Sequence, residues 1–417
     1  MIGEIIAIGD ELTSGRILNS TSYFAASHLY GAGHEIAAMA TIGDEPRKIG
    51  KALKESIERA DFVVVTGGLG PTSDDMTNEA VADALNRPTI LYPEIFDKIK
   101  QSQSFKEMPS LEKLAWLPSG AEILKPGDKI AGYLLVYHDK PIFFLPGVPH
   151  QMRELMLDRV IPRLASWGGN NISLVRQKVF KVFGLPESML QQMLTEVEKG
   201  NRQLRIGYYP NVAEVHLSLT VRGKTHEETE KQFSEGEQAI RAILGCCIYA
   251  DDGETLEAIV GASLRERELT LALAESCTGG LLAHHITSIA GSSDYFLGSI
   301  VAYANRVKEE VLQVNKQTLE EFGAVSQETA REMAWGARKI SGAALSLSIT
   351  GIAGPGGGTR EKPVGTVCFA LAGHDKILSF TYRFSGNRNM VRTKAAMTGL
   401  DLLRRHLHGL DFLESGW

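Results

Sequence analysis

Leu271–Gly280 reads LALAESCTGG and Ser348–Gly358 reads SITGIAGPGGG. Each is an apolar run that empties into a loop of glycines and small hydroxylated residues. An α/β protein presents backbone N–H groups to a ligand in this way, at the carboxyl ends of parallel strands. Thr270–Ala274 is expected as a strand, Glu275–Thr278 as its turn and Gly279–Ile289 as a helix. Ser276 then stands at a strand-to-helix junction, where a helix N-terminus favours developing negative charge. Ser293 falls in the next turn, GSSDYF. Ser299–Ala304 reads as a strand that ends on Tyr303, and Asn305 can cap a helix with Lys308 in its first turn. A cation is disfavoured there, which points to another role for Lys308. Ala343–Thr350 is a buried strand leading into the second glycine loop. Val364–Leu371 and Lys376–Phe384 form a hairpin-like pair, and Asn387 caps a last helix that carries Arg388 and Arg392 early.

These residues suit hydrolysis of a phosphorylated metabolite. A serine nucleophile needs a base, and no histidine falls in the loops. A desolvated Lys308, relayed by Tyr303, could serve. Thr350 and the glycines Gly351–Gly358 would offer N–H groups to a phosphate or oxyanion, and Arg388 and Arg392 a bidentate phosphate contact. On spacing alone, plain capping accounts as well for Ser276 and Ser293, and a solvated helix face for Lys308. Cys277 has no partner placed to activate it. His284 and His285 point to different helix faces, and His406 and His408 lack metal-binding companions.

Working back to the N-terminus, Gly3–Gly9 reads as a buried strand followed by the polar loop Asp10–Gly15. Asn19 or Ser20 can cap a helix with apolar positions at Tyr23, Phe24 and Leu29. His34–Ile42 is a second strand and Glu45–Ala60 an amphipathic helix. Asp61–Thr66 (DFVVVT) is a β-branched run of the kind covered on both faces. The order βαβαβ predicts a parallel sheet. DFVVVT runs into GGLGPTSDDMT (Gly67–Thr77), whose glycines let amides approach a phosphate while Asp74 or Asp75 caps the next helix. Asp10, Glu11, Asp74 and Asp75 fall at one sheet edge, an oxygen-only set that suits Mg²⁺ or another hard divalent ion. A tight turn and a helix cap would explain the same residues. LPGVPHQM (Leu145–Met152) is a third turn at that edge.

Between these parts, Trp167–Asn171 reads as a linker. Ile172–Phe183 and Glu214–Arg222 read as strands, Pro186–Lys199 and Thr225–Leu244 as helices, and Cys246–Ala250 as a short strand. With 417 residues, 43% hydrophobic and 23% charged, the chain is ordinary globular material of two or three domains. A net charge of −6 argues against a general nucleic-acid or anionic-membrane binder. Four cysteines make no disulfide framework. MIGEIIAIGD has no basic region before its apolar run, and no run is long enough to span a bilayer. A cytoplasmic protein is expected.

IGDELTSGRILNS, GGLGPTSDDMT and LPGVPHQM resemble the molybdopterin-binding-like domain of the CinA family, over nearly all of residues 1–168. The segment 171–250 resembles that family's KH-like α+β domain but lacks the GxxG clamp used on RNA, so a spacer or dimerisation role is expected. AESCTGG, GSS, AYANxxK, TGIAGPGGG and KPVGTV resemble the family's nicotinamide mononucleotide deamidase domain over about 254–410, within an expected domain 254–417. The resemblance implies a multidomain α/β fold and hydrolysis of nicotinamide mononucleotide to nicotinic acid mononucleotide and ammonia, without a cofactor. It implies Ser293 as the catalytic serine, assisted by Tyr303 and Lys308. Ser276, Thr278, Gly279, Gly280, Thr350, Gly351, Gly354, Gly356 and Arg388 or Arg392 would bind substrate. For the first domain it implies ADP-ribose hydrolysis to AMP and ribose 5-phosphate with a divalent metal of the Mg or Co class, and K⁺ as a further candidate. Asn19, Gly67, Gly68, Gly70, Pro71, Thr72 and Gly147 would hold the nucleotide, and Asp10, Glu11, Asp74 and Asp75 the metal. Gln151 departs from the pattern, which has Glu there, and leaves nucleotide binding without hydrolysis as the alternative. A homodimer is expected.

Overall fold

A computed structural model describes residues 1–101, 109–126, 132–169, 174–201, 203–251 and 253–412. Part of the expected linker (Asn170, Asn171) and the start of the strand expected from Ile172 lie outside these. The chain forms two compact units, 1–176 with 221–231, and 177–220 with 232–417.

The first unit is built on strands β1 (Ile2–Ile8), β2 (Glu35–Ile42), β3 (Phe62–Thr66), β4 (Glu122–Ile123), β5 (Tyr133–Tyr137) and β6 (Lys140–Leu145), in the order β2-β1-β3-β6-β5-β4. Four strands run parallel, but β5 pairs antiparallel with both β6 and β4, so the sheet is mixed rather than parallel throughout. The reason is local: β5 and β6 are joined by the tight turn His138–Asp139, with both residues at positive φ, and a hairpin can only be antiparallel. The β-branched run expected to be covered on both faces is β3, entirely buried. Val63 and Val65 enter one core and Phe62 and Val64 the other. Helices α1 (Ser20–Gly31), α2 (Pro46–Arg59), α3 (Thr77–Ala84) and α4 (Pro149–Leu155) belong to the same unit. Pro46 starts α2 at its first turn, as its fixed φ favours. Leu29 of α1 is buried, whereas Tyr23, expected on the apolar face, is 75% exposed. Asp10–Thr13 forms one helical turn rather than a loop.

In the middle of the chain, β7 (Leu174–Phe183), β8 (Leu204–Pro210), β9 (Glu214–Gly223) and β10 (Ile248–Ala250) make a sheet ordered β8-β9-β7-β10, with helices α5 (Glu187–Gly200) and α6 (His226–Leu244). Cys246 and Cys247 stand in a 3₁₀ turn before β10, not in the strand. Phe183 and Tyr249 join the same core as Leu256 and Leu264 of α7 (Leu256–Glu266).

The C-terminal sheet consists of β11 (Leu271–Glu275), β12 (Phe296–Val301), β13 (Leu345–Gly351), β14 (Thr366–Ala372) and β15 (Ile377–Arg383), ordered β12-β11-β13-β14-β15. β12, β11 and β13 are parallel, and β14 and β15 return antiparallel as the expected hairpin. Helices α8 (Leu281–Thr287), α9 (Asn305–Glu310), α10 (Gln327–Ser341) and α11 (Arg388–His408) complete it. Asn387 caps α11 by accepting from Met390 N. The parallel arrangement collects the ends of β11, β12 and β13 on one edge, where the glycine loops begin. No helix is long and apolar enough to cross a membrane among the described residues.

Candidate functional sites

Ser276 leaves the buried end of β11, and its N–H is fixed by the carbonyl of Ile349 at 2.9 Å. Lys308, one turn into α9, is only 1% exposed. Its Nζ donates to Ser276 Oγ at 3.2 Å and to the carbonyl of Ala302 at 2.7 Å. Burial disfavours its charge and lowers its pKa below the ordinary lysine value. Among the described residues no carboxylate pairs with it. α9 begins after Ala304, with Asn305 as its first helical residue rather than its cap.

Other expected members fare differently. Tyr303 is 61% exposed, and its phenol takes a hydrogen bond from Arg388 Nη2 at 2.7 Å. Lys308 meets only the Tyr303 carbonyl, at 3.5 Å, so the phenol is no relay in this geometry. Arg388 also donates to the Gly354 carbonyl at 2.8 Å, and Arg392 to the Thr278 carbonyl at 2.8 Å. Both guanidinium groups therefore point into the loop cluster. Thr350 is buried and donates its hydroxyl to the Ala324 carbonyl, which makes it a tie between loops. At Gly351 a Cβ would lie 2.8 Å from Val367 and 3.0 Å from Cys277 Sγ, so this glycine serves packing. Gly356 has open space around it. The buried Thr278 hydroxyl has no hydrogen-bond partner among the described residues. Burial pushes the Cys277 thiol up to about 12, consistent with an inert side chain.

Ser293 is the clearest departure. Parallel pairing sets Phe296 beside Leu271 and Val301 beside Glu275. Ser293 precedes Phe296 in an exposed turn, whereas Ser276 and Lys308 follow the other end of the strands. Within one chain the sheet separates Ser293 from Lys308.

Sequence reading missed Glu275. Its carboxylate, fully buried, accepts from the backbone N–H groups of Gly280, Leu282 and Ala283 at 2.9–3.1 Å and from Ser299 Oγ at 3.2 Å. Gly279 N–H is bonded to the Ser276 carbonyl. The N-terminus of α8 is therefore neutralised from within, and the Gly279 and Gly280 amides are not open to an oxyanion. An acid closing an otherwise apolar strand was the available signal.

In the first unit, the loops after β1, β2, β3 and β6 line a cavity of about 380 Å³ that includes Glu11, Asp44, Asp74 and Asp75. Gly67, Gly68, Gly70, Pro71 and Gly147 form its backbone wall. A Cβ on Gly67 would meet the Ile8 carbonyl at 2.2 Å. Asp44 was missed, although it follows the parallel strand β2 at the expected edge. Asp10 and Asp44 exchange bonds, Asp10 N–H to Asp44 at 2.8 Å and Asp44 N–H to Asp10 at 3.1 Å. Burial first, then the charges of Asp10, Glu11 and Asp74, raise the Asp44 pKa. Asp75 does not cap α3; it closes a turn by accepting from Thr72 N–H at 3.0 Å. Asn19 caps α1 through Ser22 N–H and donates to Thr41, so its side chain is committed. Gln151 lies outside the lining and buries its amide oxygen with no partner among the described residues. Carboxylate oxygens suit a hard cation, but among the described residues no three His, Cys, Asp or Glu side chains converge to hold a metal.

The folds and loop geometry define an α/β protein with a molybdopterin-binding-like unit and a separate C-terminal α/β site. Residues 4–166 match the probable molybdopterin binding domain, 177–250 the damage-inducible protein CinA KH domain, and 253–407 the CinA C-terminal domain. A CinA-like protein of Desulfotalea psychrophila is 50% identical over 97% of this chain and 98% of its own. One from Desulfosudis oleivorans is 39% identical over 98% of this chain and 100% of its own. The chain belongs to the CinA family. A solved competence/damage inducible protein CihA from Agrobacterium tumefaciens is 39% identical over 37% of this chain and 95% of its own, with a TM-score of 0.36.

Proposed function

We propose that the C-terminal site hydrolyses the carboxamide of nicotinamide mononucleotide, releasing ammonia and nicotinic acid mononucleotide. The observation that carries an amidase is the buried, carboxylate-free Lys308 amine on Ser276 Oγ. A neutral amine takes the serine proton as the oxygen adds to the carboxamide carbon. Collapse of the tetrahedral adduct breaks the C–N bond, and the proton returns to the departing ammonia. Water then cleaves the acyl-serine. Arg388 and Arg392 supply positive charge for the substrate phosphate. The substrate's identity rests on the family motifs. No metal enters this sequence of steps. Ammonia release from nicotinamide mononucleotide, compared with its unphosphorylated riboside, tests the reading. The phosphorylated substrate should be preferred, and Arg388→Ala and Arg392→Ala should narrow the preference by raising KM. Equal turnover of both would sink the phosphate assignment.

The first unit is proposed to bind ADP-ribose over the glycine wall Gly67–Gly70. Asp10, Glu11, Asp74 and Asp75 would hold a divalent metal for its hydrolysis to AMP and ribose 5-phosphate, and binding without turnover is the alternative that Gln151 favours. Calorimetric titration with ADP-ribose, followed by an assay for AMP with and without Mg²⁺, separates the two. We place the protein in the cytoplasm, as a homodimer.

A further inference from the structure

The first unit holds a second cavity, of about 570 Å³, whose lining includes Pro71, Thr72, Glu79, Lys113 and Trp116. Pro71 also lines the carboxylate cavity, so the turn that begins there walls both. Trp116 is 41% exposed, yet its backbone is firmly held. It pairs with Leu91 in a short antiparallel ladder, and its carbonyl accepts from Asn78 Nδ2 at 3.2 Å. The buried Tyr133 hydroxyl fixes Asn78 in turn, donating to its Oδ1 at 2.9 Å. The Trp116 indole N–H donates to Glu112 at 3.4 Å. Lys113 ties down the shared turn: its Nζ donates to the Thr72 carbonyl at 3.0 Å and lies 3.5 Å from Glu79 Oε1. The other oxygen, Glu79 Oε2, is buried and has no hydrogen-bond partner among the described residues. A buried acceptor without a donor is costly, and a ligand N–H would satisfy it.

We propose that this cavity takes an amino-substituted planar heteroaromatic ring, the adenine of a nucleotide, with Trp116 as its stacking face and Glu79 Oε2 accepting from its amino group. The two cavities divide the chemistry of such a ligand. Glycine amides and carboxylates suit a pyrophosphate and its cation, and the carboxylate cavity has no aromatic side chain in its lining. The second cavity has the reverse character: an indole, a proline beside the same turn, and one acceptor that lacks a donor. An aromatic face stacks on any base, so Trp116 supplies affinity without choice. Glu79 supplies the choice. A carboxylate accepts from an amino group and repels a ring carbonyl in the same position. Lys113, held against Thr72, brings positive charge to the shared wall, where the phosphate joined to the nucleoside would cross. The span across both cavities rests on the ADP-ribose reading of the glycine wall; the ring pocket does not.

Calorimetric titration of the full chain tests it, in chelator-treated buffer so that no metal-dependent turnover accompanies binding. AMP and ADP-ribose should bind the wild type. Trp116→Ala should weaken both about 10–100-fold, and Trp116→Phe should restore most of the loss. Ribose 5-phosphate, which has no base, should bind the wild type and Trp116→Ala alike. Inosine 5′-monophosphate, with a ring carbonyl in place of the amino group, should bind the wild type about 10-fold more weakly than AMP. Glu79→Gln should narrow that gap, because an amide can donate as well as accept. A urea midpoint for Trp116→Ala equal to the wild type's separates lost binding from lost folding. AMP and inosine 5′-monophosphate bound equally by the wild type overturn the proposal, even if ADP-ribose binds. So does a folded Trp116→Ala that binds AMP as the wild type does. AMP binding that depends on Trp116, in a protein that does not bind ADP-ribose, would refute the ADP-ribose reading and keep the ring pocket. A wild type that binds neither nucleotide overturns both.

Discussion

Burial governs Lys308: the low dielectric around Nζ disfavours the ammonium form, and among the described residues no carboxylate restores it. In the proposed reaction its neutral form is the active one, so the amidase rate should rise with pH through a pKa below the ordinary lysine value, then level off. A rate flat in pH across that limb would contradict the assignment. Stability shares the sign. The unfolded chain binds the proton more tightly between the lowered folded pKa and the ordinary value, so stability rises with pH in that window. His34 gives a second titration. It is fully buried without a hydrogen-bond partner among the described residues, and burial pushes its pKa down to about 4. Its contribution is complete above about pH 6.5 and is lost as the pH falls toward 4, a span worth roughly 3 kcal/mol. Urea melts at pH 7 and 4.5 should show a loss of that order, reduced in His34→Leu. Of these residues, Lys308 was legible in sequence as a cation misplaced in a first turn. The exposure of Tyr303 and the committed hydroxyl of Thr350 were not, because both depend on which loop packs above them.

Strands and their edges were largely written in the local pattern, since β-branched runs such as DFVVVT and apolar runs before glycine loops are short-range signals. What closes them was harder to read. Glu275 looked like the first residue of a turn and is a buried cap for α8, a role fixed only once β11 and α8 have packed. Glu275→Gln should leave at least one of the three amides without its acceptor, costing about 1–3 kcal/mol. As the cap also sets the loop that carries Ser276, kcat should fall more than KM. Unchanged kcat with lowered Tm would reduce Glu275 to a purely structural role. In the first unit, Gly67 has φ 100° and a Cβ there would strike the Ile8 carbonyl. Gly67→Ala should destabilise that unit by about 1–3 kcal/mol, read as a lower denaturant midpoint and weaker ADP-ribose binding.

Over the whole molecule, sequence reading recovered the three sheets and the edges on which the loops gather. It passed over β4 and β5, and with them the one strand, β5, that runs against the rest of its sheet. It also grouped Ser293 with Lys308. Spacing in a motif is not distance in a fold, and a strand of six residues intervenes. Asp44 escaped for the converse reason: it is remote in sequence from the loops it joins. The central claim is that a neutral lysine on a serine hydrolyses a carboxamide at the C-terminal site. Ammonia release from nicotinamide mononucleotide, measured in chelator-treated buffer for wild type, Ser276→Ala and Lys308→Ala, tests it most directly. The account predicts metal-independent release by wild type and a loss of about 10²–10⁴-fold in each variant. A folded wild type that releases no ammonia, or variants that keep wild-type rates, would contradict it.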